Sequence, residues 1–280
     1  MAFTTLINVD ELAANLDNPD FVIFDCRHEL TNPDFGKAEY AKSHLPHAHF
    51  ASVDHDLSSH PTGRNGRHPL PSPDAFAAWL GSKGVSGHSQ VIGYDNAAGV
   101  YGSRLWWMLR WLGHDAVAVL DGGWQAWLQA GKPTTQVVPK ATPAKFVAQV
   151  RDVNVDAAYV LAKLESSDML VVDARSNDRF HGQNETIDPV GGHIPGAVNR
   201  LFKNNVGEDG RFRSGDELQR EFQDLIGDVP VKNVVHQCGS GVSACHNLLA
   251  MELAGMSGSR LYPGSWSEWV ADPKRPVATD

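Results

Sequence analysis

Three cysteines occur in the chain, Cys26, Cys238 and Cys245, and one of them stands where a thiol can become a nucleophile. Cys238 opens the segment CGSGVS, residues 238–243, between an apolar run that reads as a strand ending at Gln237 and an apolar helical pattern beginning near Ser243. Gly239 and Gly241 free the backbone from the limits that a β-carbon imposes, so several N–H groups can converge at the helix N-terminus. Such a cradle favours an anion, and together with the helix dipole it is expected to stabilise a thiolate near neutral pH. An arbitrary cysteine is more often a small, inert, buried side chain. The setting of strand, cysteine, glycine-rich loop and helix selects the nucleophile for Cys238, whereas Cys245 and Cys26 read as structural.

Two other chemistries fit these residues less well. A cysteine phosphatase needs an arginine six positions after the nucleophile to hold a phosphoryl group, and Ala244 stands there. A metal site built from His236, Cys238, Cys245 and His246 lacks a usual zinc spacing, and on a helix starting near residue 243 the last two would lie on different faces. No metal set is expected.

The elements that must position Cys238 occur twice. FVIFDCR (21–27) and MLVVDAR (169–175) are apolar runs that end in an Asp and an Arg at the same spacing. HLPHA (44–48) is followed by GGW and Trp127, and HIPGA (193–197) by GSW and Trp269, in the same order. Apolar β-branched runs at 21–25, 91–95, 116–120, 169–173, 233–237 and 259–262 read as strands alternating with helices, which is the pattern of βα units around a mostly parallel sheet. Ser72 with Pro73 opens a helix over 73–83, and Ser214 with Glu217 forms a capping box for a helix over 214–226. SRLWWMLRWL (103–112) reads as a core helix rather than a stacking platform for nucleic acid. Pro133, Pro139 and Pro143 mark an extended connector, so the expected organisation is an α/β domain over 1–131, a linker over 132–150 and a second α/β domain over 151–280. The repeated Asp–Arg pairs and the repeated histidines His44 and His193 read as scaffold, because burying either charge of a pair alone would be costly.

Composition removes several classes of function. Thirty-three acidic against twenty-four basic side chains give a net charge of -9, which argues against nucleic acid as a partner. No window is both long and apolar enough to cross a bilayer; Arg110 interrupts the most apolar stretch. The first ten residues carry no Lys or Arg, so no basic targeting segment is read and a cytoplasmic location is expected. An odd number of cysteines in a chain of this length points to reduced thiols rather than a disulfide framework.

Both halves together resemble the tandem-domain rhodanese-type sulfurtransferases. DAR (173–175), HIPGA (193–197), the Cys238 loop and PGSWSEW (263–269) recur in that family in this order. CGSGVS is closer to the CGSGVT loop of its 3-mercaptopyruvate members than to the CRKGVT loop of the animal thiosulfate enzymes. The resemblance implies two rhodanese-like domains, each a mostly parallel sheet flanked by helices, of which only the second turns over. The matching loop of the first half, YDNAAGVYGSR (94–104), has Asp95 and Asn96 in place of a nucleophile.

The same resemblance implies ping-pong transfer of a sulfane sulfur from 3-mercaptopyruvate through a Cys238 persulfide to cyanide or a thiol such as thioredoxin, with no cofactor. Thiosulfate is the alternative donor, and a non-catalytic sulfur carrier or binding module the less favoured reading. Arg179, in RFHG (179–182), matches the family arginine that binds the donor's anionic group, with Gly239, Gly241, Val242 and Ser243 as the loop that holds the sulfur. Asp54, His68 and Ser240 match a relay suggested to protonate the enolate that mercaptopyruvate leaves. His55 and His60 read as solvated loop histidines. At residue 188, where mercaptopyruvate enzymes commonly carry a second arginine, this chain has Asp188, a departure that points toward thiosulfate.

Overall fold

The computed structural model describes residues 2–166 and 168–280. It comprises two compact units that do not follow chain order. The first takes the chain up to Ser59, Pro71–Asp152 and Glu208–Phe212, and the second takes His60–Leu70, Val153–Gly207 and Arg213–Asp280.

In the first unit the elements run β1 (Leu6–Ile7), α1 (Val9–Ala14), β2 (Phe21–Asp25), α2 (Phe35–Lys42), β3 (His49–Phe50), α3 (Pro73–Ser82), β4 (Gln90–Tyr94), α4 (Val100–Trp111), β5 (Val117–Leu120) and α5 (Gly123–Gln129). They form a five-stranded parallel sheet in the order β1-β5-β4-β2-β3. The second unit runs α6 (Ala157–Ala162), β6 (Leu170–Asp173), α7 (Asn177–Phe180), β7 (Val198–Asn199), α8 (Gly215–Ile226), β8 (Val234–Gln237), α9 (Ala244–Leu253), β9 (Arg260–Leu261) and α10 (Ser265–Trp269). Its four parallel strands lie in the order β7-β6-β8-β9. Central strands of a sheet covered by helices are buried on both faces, so β4 and β8 are buried along their whole length.

Local chemistry sets the helix ends. Ser72 accepts the Ala75 N–H with Pro73 in the first turn of α3, and Ser214 and Glu217 complete a reciprocal capping box on α8. In α4, Trp106, Trp107 and Trp111 are all buried, which agrees with a core helix.

The repeat extends to side-chain bonding. Arg27 forks onto Asp25 and caps the Ser43 carbonyl, with its guanidinium 4.2 Å from the Trp124 ring centre. Arg175 does the same with Asp173, the Gly192 carbonyl and Trp266 at 4.6 Å. His44 stacks on Tyr40 and bonds its carbonyl oxygen through Nδ1, and His193 treats Phe180 likewise. Trp127 and Trp269 donate their indole N–H groups to the carbonyls of Pro133 and Pro276. Charges buried this deeply persist because each arginine is paired with its aspartate and further bonded to a backbone carbonyl. The connector over 132–150 has no helix or strand, and His44 and Thr135 exchange backbone hydrogen bonds in the first unit.

Candidate active site

The sheet order places β8 between β6 and β9, and its C-terminal end delivers Cys238 into the corner before α9. The turn is held from one side by the segment 263–267. Cys238 N–H donates to Ser265 Oγ at 3.2 Å, while the N–H groups of Trp266 and Ser267 donate to the carbonyls of Cys238 and Gly239, each at 3.0 Å. Ser265 takes a φ of +54°, a left-handed conformation uncommon outside glycine, to make that clamp. Gly241 has a φ of +78°, and a β-carbon there would lie 2.3 Å from the Pro263 carbonyl oxygen, so only glycine closes the loop.

Cys238 is buried, and the Gly241 N–H points at its Sγ from 3.2 Å. Among the described residues the N–H groups of Gly239, Ser240 and Val242 have no acceptor, which leaves donors within the loop for a charged sulfur or its substrate. Val242 is buried and Ser243 half-buried at the head of α9. Cys245 sits beneath, donating its S–H to the Gly241 carbonyl at 3.3 Å. The neighbouring histidines turn elsewhere: His236 Nε2 lies 3.1 Å from Met251 Sδ and His246 Nδ1 3.0 Å from Asn205 Nδ2. Complete burial lowers the His236 pKa to about 3, so its ring stays neutral behind the loop.

His68 belongs to the second unit although its position in sequence is early. Its Nδ1 stands 2.7 Å from Ser240 Oγ, with both side chains buried. Asp54 lies in the first unit, its carboxylate 3.8 Å from His28 Nδ1. His55 and His60 are exposed. Burial pushes the Cys26 thiol well up, with Asp95 and Asp25 adding to the effect, so Cys26 is held as an inert thiol.

Arg179 is fixed from behind. Glu185 takes its Nε at 2.9 Å and one terminal nitrogen at 3.0 Å, and Asp188 Oδ2 takes the same nitrogen at 3.1 Å. Burial would raise Glu185, but Arg179 and the N–H groups of Asp188 and Ile187 outweigh it and hold the carboxyl below its usual range. Asp188 is pushed up by burial, against the pull of Arg67 and Arg179. Arg67, which sequence reading did not single out, forms a short ion pair with Asp188 Oδ1, and its N–H donates to Ser267 Oγ at 3.1 Å. A β-carbon placed on Gly239 would lie 2.7 Å from Arg67 and 3.8 and 3.9 Å from the two terminal nitrogens of Arg179. The signal that could have revealed Arg67 was Asp188 itself, since a buried carboxylate in an arginine's place requires a cation nearby.

The rhodanese-like domain family matches twice, at residues 8–130 and 156–272. A Pseudomonas aeruginosa protein named "Probable 3-mercaptopyruvate sulfurtransferase" is 45% identical over 100% of this chain and 99% of its own length. The thiosulfate sulfurtransferase of Cricetulus griseus is 37% identical over 83% of this chain and 79% of its own. In structure, the 3-mercaptopyruvate sulfurtransferase from Leishmania major superposes with a TM-score of 0.85 at 32% identity, covering 98% of this chain and 75% of that one.

Proposed function

This chain belongs to the rhodanese-like family, with a family domain in each half, and from that membership we propose that it is a sulfurtransferase acting on 3-mercaptopyruvate through Cys238. The Cys238 thiolate attacks the donor sulfur, a Cys–S–S bond forms, and the donor's carbon–sulfur bond breaks with its electron pair passing to the enolate of pyruvate. The outer sulfur carries the donor's thiol proton and gives it up to the Ser240–His68 pair, and Gly241 N–H and the neighbouring loop donors support the persulfide anion that is left. The enolate takes a proton at carbon from Ser240, which His68 reprotonates. An acceptor thiol or cyanide then attacks the outer sulfur and the Cys238 thiolate leaves, restoring the enzyme. The sequence-based expectation that Asp54 completes the relay, the cytoplasmic location and a thiol acceptor such as thioredoxin stay part of this proposal.

The observation that carries the donor assignment is the His68–Ser240 pair at 2.7 Å beside the nucleophile. Thiosulfate leaves as sulfite and has no carbon to protonate, whereas an enolate requires a proton source. The test is sulfur transfer from mercaptopyruvate and from thiosulfate with a common acceptor, read as kcat/KM, together with mass spectrometry of Cys238 after donor treatment. A strong preference for mercaptopyruvate with a persulfide on Cys238 is expected. Preference for thiosulfate would overturn the donor, and a Cys238 that never gains sulfur would overturn the mechanism.

A further inference from the structure

His44 and His193 hold equivalent places in the two repeats, and an extended segment crosses each of them. In the first unit that segment belongs to the connector. His44 and Thr135 exchange backbone hydrogen bonds at 2.9 and 2.8 Å, and His44 Nε2 lies 3.1 Å from the Val137 carbonyl oxygen. In the second unit the segment is 276–280, where His193 and Ala278 exchange backbone bonds at 2.8 and 3.0 Å and His193 Nε2 lies 3.5 Å from Asp280 Oδ1. What lies beneath the two straps differs. In the first unit α2 runs to Lys42, just before Ser43 and His44, whereas in the second α7 ends at Phe180 and a loop, 181–192, precedes His193. Both ends of this loop close on Arg179: the N–H groups of Gly182 and Gly192 donate to the Arg179 carbonyl at 3.1 and 3.4 Å. Between those ends Glu185 and Asp188 take the Arg179 guanidinium. The glycines leave no room for side chains. A β-carbon on Gly191 would lie 2.9 Å from Gly182 Cα, one on Gly182 3.0 Å from Thr279 Cγ2, and one on Gly192 3.2 Å from the same methyl and against the Ala278 carbonyl oxygen. Arg175 grips the Gly192 carbonyl at 2.7 Å from the buried side, and Ala278 with Thr279 covers the same glycines from the exposed side.

Resting on the family reading of Arg179 as the residue that binds the donor's anionic group, we propose that Ala278 and Thr279 are positioning residues for Arg179, acting through the glycines that close the 181–192 loop. α7 has four residues, and a helix that short does not hold its own geometry. The backbone under Arg179 is fixed instead by the Gly182 and Gly192 N–H groups, and the strap is what keeps those two residues together. A guanidinium meets an anion's oxygens over a narrow range of positions, so a shift of that backbone is felt in donor binding. The frame of the domain depends little on the strap, because Val277 is 40% exposed and Thr279 is exposed as well.

Steady-state kinetics of Ala278→Pro, Thr279→Ala and Thr279→Val in the full chain test this, each alone and combined with Arg179→Met, with thermal melting as the folding control. Ala278→Pro removes the N–H that bonds the His193 carbonyl and should raise KM for mercaptopyruvate about 10-fold while kcat changes far less. Thr279→Ala removes the methyl that covers Gly182 and Gly192 and should raise KM about threefold. Thr279→Val keeps a methyl in that place and should recover most of the loss. In the Arg179→Met background none of the three should raise KM further, a coupling that general loosening of the domain would not produce. Should Ala278→Pro fold poorly, the exposed Thr279 variants carry the test. An unchanged KM in folded variants overturns the proposal, as does a rise of the same size with Arg179 already replaced, or a fall in kcat without a change in KM. Wild-type KM in Arg179→Met alone overturns it together with the family reading of that arginine. Failure of the donor reading appears separately, as a wild-type enzyme inert toward mercaptopyruvate, and the same comparison is then made with thiosulfate.

Discussion

Each domain builds a corner of strand, loop and helix at the end of a central strand, and the two are filled by different atoms. After β4, the two carboxylate oxygens of Asp95 accept the N–H groups of Ala97, Gly99, Tyr101 and Gly102 at 2.7 to 2.9 Å. After β8, Cys238 Sγ faces the Gly241 N–H at 3.2 Å, and among the described residues other loop donors have no acceptor. The backbone of this corner is an anion receptor in both cases. In the first domain the receptor is saturated by the loop's own side chain, so it is closed and serves as scaffold. In the second, the smaller cysteine side chain leaves loop donors over. Asp95 is buried completely, and that burial raises its pKa against the lowering effect of the four N–H groups around it. A carboxylate there ties the loop down through four N–H groups.

The difference is sharpest at the cysteine. Cys238→Ser should lower sulfur transfer by more than about 1000-fold, whereas Cys26→Ser in the first domain should leave kcat/KM within about twofold of wild type. Activity that survives Cys238→Ser unchanged would put the chemistry elsewhere. In the first domain the corresponding break is Asp95→Ala, which leaves four N–H groups, those of Gly99 and Gly102 buried, without their acceptor. A loss of about 3 kcal/mol is expected from denaturant titration, with no direct loss of an active group. Retained stability would mean that the carboxylate is not what closes that corner.

The relay comes next in size. Ser240→Ala and His68→Asn should each reduce kcat with mercaptopyruvate by about 100-fold and affect thiosulfate turnover far less, since only the former donor needs a proton at carbon. Equal losses with both donors would make the pair structural.

A last difference between the two strands is read in pH. His236 lies in β8 where β4 has Gly93, each being the residue before the last of its strand. Its folded pKa of about 3 lies below the unfolded value of 6.5. Between those two pH values the unfolded chain binds a proton that the folded chain refuses. The folded state is therefore favoured in full above about pH 6.5 and loses stability as pH falls toward 3, by at most about 1.4 kcal/mol per pH unit from this group. His236→Asn should flatten that slope when stability is measured across the window, and an unaltered slope would remove His236 as its source.

Much of the frame is legible in sequence because it is written in local terms. The runs that form β2, β4, β6 and β8 are apolar and long enough to show, and the caps of α3 and α8 rest on residues three apart. Of the two-residue strands, β9 lies inside an apolar run that shows, whereas β1, β3 and β7 have no period to read and are defined by their partners in the sheet. At the site, Cys238, Ser240 and Arg179 stand out by motif. Arg67 does not, because its place depends on a buried carboxylate 121 residues away in sequence. The membership of segment 60–70 in the second unit likewise comes from contacts distant in sequence.

That segment has a consequence for modularity. Rhodanese-type domains invite use as exchangeable cassettes, and the repeat in this chain suggests a cut in the proline-bearing connector. A gene fragment beginning there would encode Cys238, Ser240 and Arg179, but it would leave out Arg67 and His68, which the second unit borrows from residues 60–70. Fragment exchange between relatives must therefore carry two separate stretches of coding sequence, and an isolated C-terminal half would hold Cys238 and Ser240 without the His68 that bonds Ser240.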